Sequence, residues 1–183
     1  MKKGFFALAF LTVMVMVRGQ TLPAGVTPQT RIYLIRHAEK ATTPPDNPPL
    51  SAAGKIRAGA LLRRLKNSGI SRMYVTQFLR TQMTADSLRL QKGIDTVHYL
   101  AEENGNDLFN KIRIDSDFSR RILVIGHSNT IPDYILKLGV ANYPVTDIPS
   151  VQFNNLYIVY YKRKFLLFGK MRAFVKKEKY GAL

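Results

Sequence analysis

The 183-residue chain has no cysteine and no tryptophan, only three histidines, and 12 Asp plus Glu against 28 Lys plus Arg. The missing cysteines remove disulfide scaffolds, zinc ribbons, CxxC redox pairs and cysteine nucleophiles together. Three histidines leave little room for a histidine-rich metal site. The shortage of acids leaves a formal net charge of +16 at pH 7. What is present in quantity is apolar: 46% of residues are hydrophobic and 10% aromatic. That excludes a disordered chain and suffices for one compact core.

The long apolar run is N-terminal. Lys2 and Lys3 precede Gly4–Val17, and Arg18 closes the run. At about 14 residues it suits a signal-peptide core and falls short of the ~20 that span a bilayer. Val17 and Gly19 are small enough for the cleavage site. Residues 1–19 are therefore expected to be a signal peptide cut near Gly19-Gln20, giving a secreted or periplasmic chain; an uncleaved N-terminal anchor is the alternative. Residues 20–30, with Pro and Gly, read as a linker, and 31–183 as one domain. Basic residues crowd the stretch from Lys162 to Lys179, where Glu178 is the one acid. Such a tail can contact anionic surfaces. The preferred reading is a solvated edge strand and frayed end, since lysines on an edge block sheet-to-sheet pairing. No RNP-like aromatic motif or helix-turn-helix spacing marks a specific nucleic-acid partner.

Arg31–Arg36 and Arg121–Gly126 are short, apolar and β-branched, as buried strands are. Ala41 to Leu50 holds four prolines and cannot be helical. Ser51 is placed to cap a helix whose apolar stripe (Ile56, Ala60, Leu61, Leu62, Leu65) stops near Asn67-Ser68-Gly69. Met73–Thr76 reads as a strand, Leu79–Leu90 as a helix ending before Gly93, Thr96–Leu100 as a weak strand and Asp107–Ile114 as a weak helix. Ser128, Asn129 and Thr130 supply capping groups for a helix through Pro132 to Leu138. Leu156–Tyr161 and Phe165–Phe174 read as a hairpin around Lys162-Arg-Lys164. Strands alternating with helices give an α/β fold with a mostly parallel sheet.

His37 and His127 occupy equivalent places, each just past the end of a strong apolar strand. Ligands of open α/β sheets bind outside the carboxyl ends of the strands. Adjacent strands stand ~4.8 Å apart, so both imidazoles can face one ligand. Arg36 neighbours His37, and Arg80 follows the Met73–Thr76 strand. Two arginines with two histidines suit a tetrahedral dianion, because guanidinium binds phosphate oxygens bidentately and keeps its charge. A helix start near Ser128 adds backbone donors. His98 lies in a weak strand and reads as structural or exposed.

These residues, in this order, resemble the histidine phosphatase superfamily, the phosphoglycerate mutase-like fold. Arg36-His37-Ala38-Glu39 is similar to its Arg-His-Gly-Glu signature. Pro49-Leu-Ser-Ala-Ala-Gly54, with Ala58 and Leu61, is similar to its Leu-Thr-x-x-Gly segment and following helix. Thr76-Gln-Phe-Leu-Arg80-Thr-Gln-Met-Thr-Ala85 is similar to Ser-x-x-x-Arg-Thr-x-x-Thr-Ala, and Val124-Ile-Gly-His127 to the strand bearing a second histidine. Ala38 replaces the common Gly and Phe78 the usual Pro. The resemblance covers Arg31 to Leu138. It implies a three-layer α/β/α sandwich with a mostly parallel central sheet. It also implies a phosphatase, needing neither metal nor cofactor, in which His37 becomes a phosphohistidine while Arg36, Arg80, His127 and Ser128 hold the phosphoryl oxygens. Its substrates would be phosphorylated small molecules or phosphoproteins.

The leaving oxygen needs a proton, which the family takes from a carboxylic acid after the third strand. Here that segment is Leu100-Ala-Glu-Glu-Asn104. Glu102 is the first choice and Glu103 the second, with Glu39 and Asp133 positionally open; some small members of the family lack an obvious acid. Three other readings compete. A non-catalytic anion-binding module would keep Arg36, Arg80 and His127. A mutase is possible within the family, though export favours hydrolysis. A serine esterase using Ser128, in Gly126-His-Ser-Asn-Thr130, lacks both the closing glycine and a histidine later in the chain.

Overall fold

The structure is a computed structural model and describes residues 21–144, 146–163 and 169–181. The expected signal peptide lies outside the described residues. The elements run β1 (Arg31–Arg36), α1 (Ala52–Leu65), β2 (Arg72–Thr76), α2 (Leu79–Lys92), β3 (Thr96–Tyr99), α3 (Asn106–Ile114), a single 3₁₀ turn (Asp117–Ser119), β4 (Arg121–Gly126), α4 (Ile131–Lys137), β5 (Asn155–Arg163) and β6 (Met171–Lys179).

One six-stranded sheet has the order β3-β2-β4-β1-β5-β6. β3, β2, β4 and β1 are parallel, β5 is antiparallel to β1, and β6 is antiparallel to β5. The uninterrupted apolar runs of β1 and β4 belong at the centre, where both sheet faces are covered. Alternation along β1 divides the core. Tyr33 and Ile35 pack with Leu61, Leu65, Ala85 and Leu88 of α1 and α2. Ile32 and Leu34 pack with Leu108, Ile112, Tyr134 and Ile135 of α3 and α4. The result is the three-layer α/β/α sandwich. The chain moves outward through β2 and β3, then returns to insert β4 beside β1. That reversal is the topological switch point at which such sheets bind ligands.

Ser51 caps α1, its Oγ accepting the Gly54 N–H at 3.1 Å, and Gly93 ends α2 in the left-handed region at φ 61°. Elsewhere the structure departs from the sequence reading. Residues 21–30 are not a free linker. Leu22 and Val26 pack against the core, and the Thr30 hydroxyl donates to the Phe118 carbonyl at 2.7 Å. The second hairpin strand is β6, so Lys176, Lys177 and Lys179 are paired with β5 rather than frayed. It remains a sheet edge. The centre of the expected turn, residues 164–168, lies outside the described residues. α4 begins at Ile131 with Thr130 as N-cap, and no capping side chain bonds its first turn.

Candidate active site

The register pairs Arg36 with Gly126, and the His37 N–H donates to the Gly126 carbonyl at 3.0 Å. Both histidines therefore leave the sheet at one level. Their ring centroids are 5.4 Å apart with the planes at 62°. His37 is 6% and His127 9% exposed. His37 Nδ1 lies 2.7 Å from the Ala38 carbonyl oxygen. A carbonyl only accepts, so Nδ1 carries the hydrogen and Nε2 keeps a free lone pair. Burial is the main force on this ring and drives its pKa to about 3. The Ala38 bond pulls upward, while His127, Arg80 and Arg36 push further down. Burial, then Arg80 and Arg36, lowers His127 to about 4. Both imidazoles are neutral at neutral pH.

Two threonines of the Thr76–Ala85 motif hold His127. Its Nε2 lies 3.2 Å from Thr76 Oγ1, which in turn lies 2.9 Å from Thr81 Oγ1. Thr84 serves the other histidine's loop: its Oγ1 accepts the Ala38 N–H at 2.9 Å. The Leu-Ser-x-x-Gly segment has a similar purpose. The Ser51 N–H and hydroxyl both donate to the Glu39 carbonyl, at 2.9 and 3.2 Å. A Cβ on Gly54 would sit 2.1 Å from that same oxygen, so only glycine lets α1 approach the His37 loop this closely.

The two arginines are supported differently. Arg36 donates through Nη1 to the carbonyls of Ser150 at 2.9 Å and Pro149 at 3.2 Å. Its guanidinium carbon lies 4.1 Å from the centroid of Phe153. Its Nε is buried and has no hydrogen-bond partner among the described residues, a costly state unless a ligand accepts from it. Arg80 rests 4.2 Å over Phe78. Among the described residues its guanidinium has no acceptor. Phe78 also stands edge-on to His127, with centroids 5.4 Å apart. The aromatic in the place of the usual Pro thus packs against both a histidine and an arginine.

These groups surround a cavity of about 560 Å³, lined also by Lys40, Ala101, Ser128, Asn129, Thr130 and Ser150. Four of the expected residues (His37, His127, Arg36 and Arg80) come together here, and Ser128 joins them at the wall. Ser128 is not at a helix start; it lies in the turn before α4, and its carbonyl accepts the Ile148 N–H at 3.1 Å. Among the described residues no hydrogen bond joins the Ser128 hydroxyl to either imidazole, which leaves the esterase reading without a base.

Glu102 does not reach the cavity. Its turn folds toward α3, where the carboxylate accepts the Asp107 N–H at 3.4 Å, an orientation favoured by the positive end of a helix. Glu103 and Asp133 line a separate depression with Lys137. Glu39 is engaged by Arg57, with Nε at 2.8 and 2.9 Å and Nη2 at 2.6 Å from its oxygens. Among the described residues, no carboxylate lines the cavity. No group of three or more His, Asp or Glu gathers there or elsewhere among them as a metal cluster.

Sequence reasoning missed Lys40, Phe153 and Asn47. Asn47 Oδ1 accepts the Leu79 N–H at 2.9 Å, so the proline-rich loop caps the helix that carries Arg80. Lys40 adjoins the Arg36–Glu39 motif and could have been noticed. Phe153 lies in an irregular loop with no local signal.

A paired-histidine, arginine-walled cavity thus sits at the switch point of an α/β/α sandwich. Residues 32–108 match the family model of the histidine phosphatase superfamily (branch 1). Over those residues the chain is similar to the histidine phosphatase superfamily. No curated protein matches the chain. Among solved structures, the candidate phosphohistidine phosphatase SixA from Agrobacterium tumefaciens is similar at 16% identity and TM-score 0.56, covering 86% of this chain and 100% of its own. SixA complexed with tungstate is similar at 15% identity and TM-score 0.56, over 81% of this chain and 96% of its own. A mycobacterial glucosyl-3-phosphoglycerate phosphatase with inorganic phosphate is similar at 14% identity and TM-score 0.56, over 80% and 95%. At these identities the likeness is one of fold.

Proposed function

We propose that the protein is an exported phosphohydrolase acting through a phosphohistidine on His37. The observation that carries this reading is a neutral imidazole, its Nδ1–H committed to Ala38, beside the Arg36 Nε and the Arg80 guanidinium, which have no acceptor among the described residues. Nε2 attacks phosphorus, the P–N bond forms, and the bond to the leaving group breaks. Water then attacks the phosphohistidine, the P–N pair returns to Nε2, and phosphate leaves. Two steps replace one hard displacement. Arg36, Arg80 and His127 face the charge that builds on the equatorial oxygens; one such donor is worth roughly 10²–10³ in rate. The guanidinium groups supply the neutralisation that Mg²⁺ gives in other phosphoryl transfers, so the reading requires no metal.

The carboxylate-free wall favours leaving groups that depart without a strong acid, such as aryl oxygens or the nitrogen of a phosphoramidate. The names of the SixA structures fit that preference. Substrates are phosphorylated small molecules or phosphoprotein side chains, met in a secreted or periplasmic setting. The test uses p-nitrophenyl phosphate and a rapid quench. Turnover disappears in His37→Ala, and the wild type yields a base-stable, acid-labile phosphoryl label on the peptide containing His37. Turnover that survives in His37→Ala overturns the mechanism. Phosphate affinity without turnover in the wild type makes the protein an anion-binding module instead.

A further inference from the structure

The cavity holds more positive charge than a single phosphoryl group requires. The two guanidinium groups already match a phosphate dianion, and Lys40 also lines the wall. We infer that Lys40 is a specificity-determining residue that reads a second anionic group on the substrate. The inference rests on the phosphohydrolase reading of this same cavity and names the class of substrate it takes: a phosphorylated compound with another carboxylate or phosphate near the scissile phosphorus.

Three observations carry it. Lys40 is exposed and has no hydrogen-bond or ion-pair partner among the described residues. The adjacent acid cannot neutralise it, because both Glu39 oxygens are taken by Arg57. Its backbone is also held in place at the rim. Lys40 bridges Leu50, the Ala41 N–H donates to the Pro49 carbonyl at 2.8 Å, and the Ser51 N–H donates to the Glu39 carbonyl at 2.9 Å. The proline-rich loop therefore presents this ammonium group from a fixed point.

The cavity, at about 560 Å³, falls within the range of sites for organic ligands rather than for a bare ion. An ammonium is a compact charge on a flexible stem and does not demand the planar, bidentate geometry of guanidinium. Carboxylate and phosphate therefore share the chemistry that Lys40 recognises.

The test is calorimetric binding of methylphosphonate and methylenediphosphonate, neither of which can be hydrolysed at its P–C bonds. The wild type prefers methylenediphosphonate by about ten- to hundredfold, the range of one charge-assisted hydrogen bond. Lys40→Met reduces that ratio to within a few fold. Lys92→Met, on the exposed last turn of α2, keeps the wild-type ratio and controls for the general field. Equal affinity in the wild type, a preference that survives in Lys40→Met, or an equal loss in Lys92→Met overturns the inference. If methylphosphonate binds but no preference appears, Lys40 alone is misread. If neither phosphonate binds, the anion site itself fails, and the proposed function with it. A missing phosphoenzyme would leave this binding contrast standing.

Discussion

Arg80→Ala separates what this side chain does for the ligand from what it does for the fold. Among the described residues its guanidinium makes no hydrogen bond, so the loss on removal is the contact with Phe78 at 4.2 Å. A partly exposed cation–π contact is worth about 0.5–1 kcal/mol. For a domain of this size that lowers Tm by about 2–4 °C at most. The catalytic loss is far larger, about 10²–10³ in kcat, or ~2.7–4 kcal/mol, if Arg80 stabilises a developing phosphoryl charge. A third readout comes from the histidines. Arg80 is the main charge depressing His127 after burial, and it also depresses His37, so both imidazoles titrate higher in the variant. They stay below an ordinary histidine because burial, the larger cause, is unchanged. Arg80→Lys keeps the charge without the fork and falls between alanine and wild type. The assays are p-nitrophenyl phosphate kinetics, thermal unfolding by circular dichroism, and NMR titration of the imidazole C–H signals. Activity within tenfold of wild type refutes the role in catalysis. A Tm loss well beyond 4 °C makes Arg80 a scaffold residue whose activity effect is indirect.

The remaining predictions concern acid stability and the α1 contact. His37 and His127 have folded pKa values of about 3 and about 4, against ~6.5 in an unfolded chain. The unfolded state thus binds protons that the folded state refuses, and stability falls as pH drops from about 7 toward 4. Urea midpoints at pH 7, 6 and 5 should decline in the wild type and flatten in His37→Asn/His127→Asn; an unchanged slope in the double variant refutes the depressed values. Gly54→Ala drives a methyl group into the Glu39 carbonyl, where both sides are backbone. It should cost at least the ~1–3 kcal/mol of overpacking and lower activity by displacing the loop after His37, so unchanged Tm and turnover would sink that account.

Much of the fold and most of the cavity could be read from the sequence, for reasons visible in particular residues. β1 and β4 are apolar without interruption because parallel central strands are covered on both faces, and that pattern also located His37 and His127 at their ends. Arg36 and Arg80 followed because they adjoin those strand ends in the chain. Glu102 was misplaced because position after a strand does not say which way a short turn aims its side chain; the Gly105 N–H to Glu102 carbonyl bond at 3.1 Å closes that turn toward α3. β6 was misjudged at its far end because Lys176, Lys177 and Lys179 read as a solvated tail. The backbone of β6 pairs with β5 on one side, and its lysines oppose pairing only along the open edge.

What sequence order hides most is that the cavity closes from both halves of the chain. The segment matched by the family, residues 32–108, supplies His37, Arg36, Phe78 and Arg80, but neither His127 nor the loop at 149–153. β1 has β4 on one side and β5 on the other, and both strands come later. β4 brings His127 beside His37. The loop leading into β5 brings the Pro149 and Ser150 carbonyls that hold Arg36 Nη1, and the Phe153 ring beneath its guanidinium. Those contacts leave Arg36 Nε without an acceptor among the described residues. Arg36 thus gains its orientation from residues more than a hundred positions away, while Arg80 takes its own from Phe78, two residues earlier. A motif can therefore announce both arginines, but only the completed sheet arranges them as a pair.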